Sequence, residues 1–336
     1  MKSCHLQWGF GSAEIISTAA ILRSCTLRLP SGRLFAPLAC APWAGSAQAD
    51  PDLPGHMRQL GGEFVCLPFG VGTVPAALAA RWTGAASAYP QPVQHGMCAD
   101  GEWEWVSSSR THAELRIDYP RTEDIESVTR VIRADPAAPA LDIQVSVYAR
   151  RPTELPFALH PIFRLPDRPS DVSIHIPFRR GFTYPGTLPP GTSPLATDAE
   201  FDTLAAVPLK AGGHVDLSRL PYGHPSEEFL QLTGVTGEAT IAYADENARI
   251  RLTWDPKLLP SCLLWVSDRA LQEAPWGGQF RGFAIEPAAA AFDLPVDCAR
   301  GPNPIRAAGT RTALTVDPAR PTVIAYRLAA EAVPVK

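Results

Sequence analysis

The sequence predicts an all-β fold, a large antiparallel β-sandwich, from three observations. Apolar and polar residues alternate with a period of two over many short segments, which is the pattern of half-buried strands. The 336 residues include 35 prolines, about twice the average share, and 25 glycines, which suit turns better than long helices. A hydrophobic fraction of 46% is enough for a sizeable core.

The strand-like segments follow one another along the chain. Residues 22–39 predict a hairpin whose turn lies at Ser31 and Gly32. Further strands are predicted over residues 125–135, 141–151, 171–178, 261–268, 282–287, 312–317 and 322–329, and a second hairpin over 238–255 with its turn at 245–247. Only fragments such as residues 74–82 could be helical.

The chain is predicted to form one domain over residues 1–336, because no composition shift marks a linker and no repeat of fixed period occurs. Residues 1–21 could be a loosely attached N-terminal extension. A net charge of −4 without a lysine or arginine cluster argues against a nucleic-acid partner. No apolar run has the length of a membrane span, so no membrane partner is expected. We expect a monomer or a homodimer.

The seven cysteines are scattered and contain no C-x-x-C pair. This pattern indicates a reducing, cytoplasmic location rather than a disulfide framework or a zinc knuckle. Residues 34–50 offer an alternative, because an apolar run ends there in an A-x-A-like site, as a signal peptide does. The run starts far into the chain with Arg33 as its only basic flank, so a buried strand with its loop is favoured.

Two titratable residues leave apolar strands directly before a proline. They are His160 in FALHPIFRLP (157–166) and Glu286 in RGFAIEPAAAAFDLP (281–295). A lone histidine in apolar surroundings is more often a core residue than a catalyst, but an ionised carboxylate is rarely buried without a partner. If both face one cleft, their reference pKa values of about 6.5 and about 4.3 make them an acid and a base for proton transfer.

These segments resemble the aldose 1-epimerase (galactose mutarotase-like) family. FALHPIFRLP is similar to the family's histidine motif, and the segment around Glu286 is similar to its glutamate segment. VQHGMCADGEWEW (93–105) is similar to its upstream His-Gly segment, with His95 and Gly96 at the matching positions. The three segments occur in the family's order, and the resemblance covers roughly residues 22–330, as in a divergent member.

The resemblance implies a β-supersandwich with a sugar site in a cleft on one sheet. It implies that Glu286 acts as general base on the anomeric hydroxyl and that His160 protonates the ring oxygen as general acid. His95 would donate a hydrogen bond near that oxygen. The ligand would be a small sugar or sugar derivative, with no cofactor and no metal.

The family's sugar-binding elements are only partly present. Residues 61–70 lack the Asn-Arg pair that usually follows an early Gly-Gly, and Met97 stands where members often carry an aromatic residue after the His-Gly. An Asp that binds sugar hydroxyls in the family is matched in HPSEEFLQL (224–232) by Glu228, or by Glu227. The acid–base chemistry is therefore better supported than the substrate.

Aromatic rings are candidates to replace part of this sugar clamp, since sugars rest their C–H faces on rings. The substrate-binding candidates are Trp103, Phe163 and Trp276, each weighed against ordinary core packing. Trp276 is the strongest, because it lies in PWGGQF, a polar and glycine-rich loop. Arg164 could favour an anionic sugar, although a solvated surface arginine is the plainer interpretation.

Other functions fit the residues less well. A metal site could draw on His95, His112, His160 and Glu286, but no H-E-x-x-H spacing occurs. No G-x-S-x-G signature supports a serine nucleophile. A non-catalytic carbohydrate-binding protein on the same fold stays the main alternative, and a polysaccharide lyase or hydrolase is a third.

Overall fold

The structure is a computed structural model that describes residues 2–46, 50–75, 77–82 and 89–332. Strands dominate it. In chain order they are β1 Ser3–Trp8, β2 Gly11–Ile16, β3 Leu22–Arg28, β4 Leu34–Phe35, β5 Glu63–Cys66, β6 Glu104–Ser108, β7 His112–Asp118, β8 Ile125–Ala134, β9 Ala140–Ala149, β10 Thr153–Leu155, β11 Phe157–Arg164, β12 Val172–His175, β13 Arg180–Thr183, β14 Glu200–Phe201, β15 Val207–Pro208, β16 His214–Val215, β17 Arg219–Leu220, β18 Ser226–Thr233, β19 Glu238–Tyr243, β20 Ala248–Trp254, β21 Ser261–Asp268, β22 Arg281–Ala289, β23 Leu314–Val316 and β24 Thr322–Ala332.

Two large antiparallel sheets hold most of these strands. The first has the order β1-β2-β3-β5-β11-β22-β21-β18-β13-β14, with β4 paired to β3. The second has the order β17-β12-β19-β20-β24-β9-β8-β7-β6. Two short ribbons, β10-β23 and β15-β16, complete the strands of the described residues. The predicted large antiparallel β-sandwich is confirmed.

The central strand β11 is buried on both of its faces. Its odd-numbered residues, such as Leu159 and Phe163, pack into the apolar core between the two sheets. Its even-numbered residues, such as Ala158 and Ile162, belong to a second apolar cluster on the outer side of the first sheet. Successive side chains of a strand point to opposite faces, so one strand supplies both clusters.

Short helices lie in the connections. They are α1 Gly55–Arg58, α2 Gly96–Asp100, α3 Val296–Arg300 and α4 Pro304–Ala307, with single 3₁₀ turns at Ala80–Trp82 and Leu204–Ala206. Of the fragment 74–82 that could be helical, only the turn at its end is, and residue 76 lies outside the described part. None of the helices in the described residues is long and apolar enough to cross a lipid bilayer.

Residues 2–21 are not the loose extension that the sequence allowed for 1–21, of which residue 1 lies outside the described part. β1 pairs with β2 along its whole length, and β2 pairs with β3, so both strands belong to the first sheet. Leu6, Ile15 and Ile16 are fully buried. The segment is held by the burial of its apolar residues, which alternate too briefly to stand out in the sequence.

The predicted hairpins form as expected. β3 and β4 are joined through Gly32, whose φ is 82°, and β19 and β20 through Asn247, whose φ is 46°. Glycine and asparagine tolerate positive φ better than other residues, which explains their use at these turns. The strand expected within residues 34–50 is short, with Phe35 buried, and residues 47–49 lie outside the described part.

A buried ion pair crosses the core. Glu63 on β5 and Arg130 on β8 are fully buried and hydrogen-bonded to each other across the two sheets. Arg130 also donates to the Ala20 carbonyl at 2.6 Å and to the Tyr326 hydroxyl at 3.3 Å. A buried charge needs this kind of compensation, so either group alone would be costly.

Arg130→Met is therefore expected to cost about 3–5 kcal/mol of unfolding free energy, because it leaves Glu63 buried without its partner. Urea unfolding measures the loss. The matched control is the double variant Glu63→Gln/Arg130→Met, which removes both charges and is expected to recover part of the stability. Equal losses in the single and double variants would contradict a coupled pair.

Candidate active site

The register of two central strands brings His160 and Glu286 face to face. β11 and β22 are antiparallel neighbours, with Ala158 opposite Ala288. Two residues further along, this register sets His160 opposite Glu286, with both side chains on the outer face of the first sheet. Directly opposed residues of an antiparallel pair have Cβ atoms about 5 Å apart, close enough for their side chains to act together.

The two prolines explain why this spot differs from the rest of the ladder. Pro161 follows His160, Pro287 follows Glu286, and neither proline has an N–H to donate. The backbone pairing of β11 with β22 is accordingly interrupted between Ala158 and Ile162. The two prolines therefore lie where the backbone ladder is interrupted, directly after the two titratable side chains.

The imidazole and the carboxyl lie close together and are nearly enclosed. His160 Nε2 is 3.7 Å from Glu286 Oε1, and the two side chains are 9% and 2% exposed. The ring of His160 stacks on Phe64 of β5, with centroids 4.6 Å apart and planes 18° apart. The stack fixes the orientation of the imidazole toward the carboxyl.

Both groups line a cavity of about 340 Å³, a size typical of small-ligand sites. Three kinds of functional side chain lie in its wall, which are aromatic rings, imidazoles and carboxyls. Aromatic rings come from Phe64, Phe69, Tyr184, Phe229, Trp265 and Trp276, histidines are His56, His95 and His160, and carboxyls are Glu227, Glu286 and Asp293. Within the described residues the lining contains no lysine or arginine, and no group of three or more side chains is arranged to hold a metal.

His95 is held in one tautomer. It lies at the start of α2 with a φ of 61°, and its ring stacks on Phe69 at 4.8 Å. The Gly70 N–H donates to His95 Nδ1 at 3.3 Å, so the proton of the neutral ring is on Nε2. With the proton on Nε2, the Gln94 side-chain amide 3.3 Å away, which also lines the cavity, can pair with this atom only through its carbonyl oxygen. His95 is therefore a hydrogen-bond donor toward the cavity.

Gly70 belongs to the segment that lacks the expected Asn-Arg pair. Its φ is 111°, and a Cβ at this position would come within 2.5 Å of the Leu294 carbonyl oxygen. The close approach lets the Val71 N–H donate to the Asp293 carbonyl at 2.8 Å. The segment thus supports His95 and Asp293 through its backbone and provides no cationic side chain.

His56 is a site residue that the sequence did not reveal. It lies on α1, and its Nδ1 donates to the Ala99 carbonyl at 3.2 Å, which leaves Nε2 as an acceptor. Its ring centroid is 5.2 Å from that of His95. His56 and His95 therefore offer an acceptor and a donor side by side.

Burial shifts the pKa values of the histidines and of the carboxyls in opposite directions. It lowers the pKa of His160 to about 3 and that of His56 to about 4, and it lowers the pKa of His95 well below its usual value. Burial, with Asp293 close by, raises the pKa of Glu286 well above its usual value. Both trends favour the uncharged form, so burial favours a protonated Glu286 carboxyl beside a neutral His160 imidazole.

Two further carboxyls carry raised pKa values. Burial raises the pKa of Glu227 to about 7, although the Trp265 indole N–H and the nearby Ser267 hydroxyl oppose the shift. Burial raises the pKa of Asp293 to about 6, partly opposed by its hydrogen bond with Tyr184. The cavity is therefore rich in acidic groups that are readily protonated.

Of the eight residues predicted for the site, the structure brings together His160, Glu286, His95 and Trp276. Trp276 is half-buried and lines the cavity from its glycine-rich loop. Its ring packs edge-on against Trp265 at 6.2 Å. The structure thus unites the acid–base residues with one of the aromatic candidates.

Phe163 and Trp103 lie elsewhere, which corrects their assignment. Phe163 is three residues from His160, so it points to the opposite face of β11, where it packs on Phe283. Trp103 is 2% exposed in the core between the sheets, and its indole N–H donates to the Cys98 carbonyl.

Arg164 and Glu228 are also outside the cavity. Arg164 ends β11, hydrogen-bonds to Glu246, and lies over the Tyr243 ring at 5.0 Å. Glu228 faces the inner side of β18 and accepts a hydrogen bond from Ser193 at 2.6 Å. Its neighbour Glu227, the alternative match in the sequence, is the one that lines the cavity.

No known family profile matches the sequence, and no curated protein matches it. Several solved structures are similar. A candidate aldose 1-epimerase from Escherichia coli K12 has 16% identity and a TM-score of 0.65 over 98% of this chain and 99% of its own. A homologue of GalM/aldose epimerase from Caenorhabditis elegans has 12% identity and a TM-score of 0.66 over 99% and 100%. A galactose mutarotase-like protein from Lactobacillus casei has 14% identity and a TM-score of 0.62 over 98% and 100%.

The chain has the galactose mutarotase-like fold. The resemblance that the three sequence segments carried is thereby confirmed at the level of the fold. At identities of 12% to 16% the likeness is one of fold. The mutarotase-like fold supplies the sheet on which His160 and Glu286 meet.

The lowered pKa values predict that His56 and His160 do not titrate between about pH 5 and 8 in the folded protein, and that His95 titrates well below its usual pKa. NMR of the imidazole ring protons measures this, with single His→Asn variants for assignment. The control is the urea-unfolded chain, where the same rings are expected to titrate near about pH 6.5.

The same shifts affect stability. A lowered folded-state pKa means that the unfolded chain binds the proton first, so the contribution of the histidines to stability is lost as the pH falls from about 6.5 toward the folded value of about 3 for His160. The raised pKa values of Glu227 and Asp293 contribute in the opposite sense, because they cost stability as the pH rises. A midpoint near 6.5 for any cavity histidine of the folded protein would contradict the burial argument.

Proposed function

We propose that this chain is an aldose 1-epimerase-like isomerase that interconverts the anomers of a sugar by acid–base ring opening. The observation that supports the proposal is His160 Nε2 at 3.7 Å from Glu286 Oε1 on the wall of one cavity. Ring opening needs one group that gives a proton and one that takes a proton at neighbouring oxygens of one small ring. A pair that shares a single proton within this distance meets that need.

The steps balance without a cofactor. One group of the pair removes the proton from the anomeric hydroxyl while the other protonates the ring oxygen, the C1–O5 bond breaks, and the C1 oxygen becomes a carbonyl. Rotation about C1–C2 presents the other face of the carbonyl. The two groups then return the protons in the reverse sense, and the ring closes as the other anomer.

The starting position of the proton differs from the one that reference pKa values suggest. In the enclosed cavity burial favours protonated Glu286 beside neutral His160, so Glu286 donates and His160 Nε2 accepts. The resemblance implies the reverse, with Glu286 as base. Because the two groups exchange roles in the closing step, either start supports turnover, and the titration belongs to the pair.

The other cavity residues are suited to hold the ring. His95 Nε2–H can donate to an oxygen that gains charge, and His56 Nε2 can accept from a hydroxyl. The indoles of Trp265 and Trp276 offer apolar faces for sugar C–H groups. These contacts position the substrate, and the His160–Glu286 pair performs the proton transfers.

A non-catalytic carbohydrate-binding function on the same fold is the second candidate. One observation favours it: the described lining has no arginine or lysine, so the clamp that accompanies the reaction in the resembled family is incomplete. The same cavity would then hold a sugar without exchanging its anomers.

Glu286→Gln and His160→Asn are each expected to lower kcat/KM for anomer exchange by about 10²–10⁴, because each removes one partner of the proton transfer. NMR magnetisation transfer between the anomers of a panel of aldoses measures the rate. Arg164→Gln is the matched control, since Arg164 lies outside the cavity, and it is expected to exchange at the wild-type rate.

The two candidate functions predict different results for the wild type. Binding of a sugar without faster exchange, unchanged by Glu286→Gln, would refute the isomerase and leave a binding protein. Faster exchange that survives both substitutions would refute the assignment of the pair.

A further inference from the structure

The cavity holds more carboxyl groups than one proton-transfer pair uses. Besides Glu286, Glu227 and Asp293 line it, and no lysine or arginine of the described residues does. The three histidines beside them are neutral near pH 7, because burial lowers their pKa values. The described lining therefore contains no positively charged side chain to pair with these carboxyls.

Glu227 is fixed with one oxygen left over. It is 6% exposed on β18, opposite Ser267 of β21. Its Oε1 accepts a hydrogen bond from the Trp265 indole N–H at 2.5 Å, whereas its Oε2 has no partner among the described residues. The carboxyl of Glu273 in the neighbouring loop adds negative charge close by. Leaving a buried acceptor unmet is costly unless a ligand supplies a donor.

Asp293 repeats this arrangement next to Glu286. Its Oδ1 and Glu286 Oε2 are enclosed and have no partner among the described residues. The loop that carries Asp293 is held by Gln231, which accepts from the Phe292 N–H at 2.6 Å and donates to the Ala290 carbonyl at 2.7 Å. The two hydrogen bonds of the Gln231 side chain to the loop backbone therefore hold the Asp293 carboxyl in place.

Aromatic rings stand beside these carboxyls. Trp265, which holds Glu227, has its ring centroid 6.0 Å from His160 and 6.2 Å from Trp276. Tyr184, which bonds with Asp293, packs against Phe229 with centroids 5.6 Å apart. Carboxylates combined with aromatic faces recognise ammonium groups, because both present negative potential.

We propose that the cavity binds an amino sugar with a free ammonium group, which the unpartnered oxygen of Glu227 and the ring of Trp265 receive. The inference rests on the proposed function, since it names the substrate class of the same site. One small ring can reach both parts, as the Trp265 ring lies 6.0 Å from His160. A phosphorylated or carboxylated sugar would find no cation in the described lining, and its negative charge would oppose ionisation of the cavity carboxyls, so we expect it to bind more weakly.

A bound cation would also change the catalytic pair. It favours the ionised form of nearby carboxyls, so the carboxyl of Glu286 would release its proton when the ammonium binds. Glu286 would then start the reaction as the base, the role that the sequence resemblance implies. An amino sugar thus reconciles the acidic cavity with the expected direction of proton transfer.

The first test compares four ligands with the wild-type chain at pH 6: a hexosamine, its N-acetyl form, the parent hexose and the hexose 6-phosphate. Isothermal calorimetry is expected to give a Kd for the hexosamine at least about tenfold lower than the Kd for the N-acetyl form, which corresponds to about 1.4 kcal/mol of binding free energy. Repeating it in buffers of different ionisation enthalpy should show proton release on binding of the hexosamine alone. Equal affinities without proton release would overturn the inference.

The second test uses neighbouring glutamates. Glu227→Gln keeps the shape and the acceptor for Trp265 but removes the charge, so the preference for hexosamine over hexose is expected to fall about tenfold. Glu228→Gln, one residue on and facing the inner side of β18, is expected to keep the wild-type preference. If Glu227→Gln does not fold, the four-ligand comparison with the wild type decides alone.

The outcomes separate the two proposals. Anomer exchange of neutral hexoses with no preference for the amine would refute the amino-sugar class and leave the isomerase. Tight, proton-releasing binding of the hexosamine without faster exchange would refute the isomerase and leave the ammonium site. Preference for the hexose phosphate would refute the charge argument outright.

Discussion

The register between β11 and β22 is the constraint on which the site depends. It sets His160 opposite Glu286, and a slip of one residue would turn either side chain into the core. Burial on the other face fixes it, because Phe163 and Phe283 pack there between the sheets. The apolar core of the sandwich therefore decides where the acid–base pair lies, although it does not touch a ligand.

Burial explains the electrostatics of the site as well as its geometry. The apolar and aromatic wall favours uncharged groups, so it lowers the pKa of His160 to about 3 and raises that of Glu286. The pair is thereby kept with one proton between two groups, which suits a reaction that moves one proton in and one out. Glu227 and Asp293 add two further carboxyls to the cavity, so the charge of a bound ligand would also shift the pKa values of these acids.

Loops built on backbone contacts complete the cavity. Gly70 donates its N–H to His95 Nδ1 and lies close to the backbone of the loop that carries Asp293. His56 is turned by the Ala99 carbonyl so that Nε2 is left as an acceptor. A chain that lacks the expected Asn-Arg pair thus holds its histidines through main-chain groups, which makes a neutral, hydrogen-bonding surface.

The sequence alone indicated many of the strands, although not β1, β2, β5, β7 or β18. It also indicated the hairpin turns at Gly32 and Asn247 and the candidacy of His160 and Glu286, because periodicity, turn chemistry and a titratable residue in an apolar run are local properties. It could not say which face of β18 meets the cavity, so Glu228 was preferred to Glu227, and Phe163 was assigned to a site that its parity excludes. His56 and Asp293 carry no local signal. Only the packing of sheet and loops brings them together, since their contacts join residues far apart in the chain.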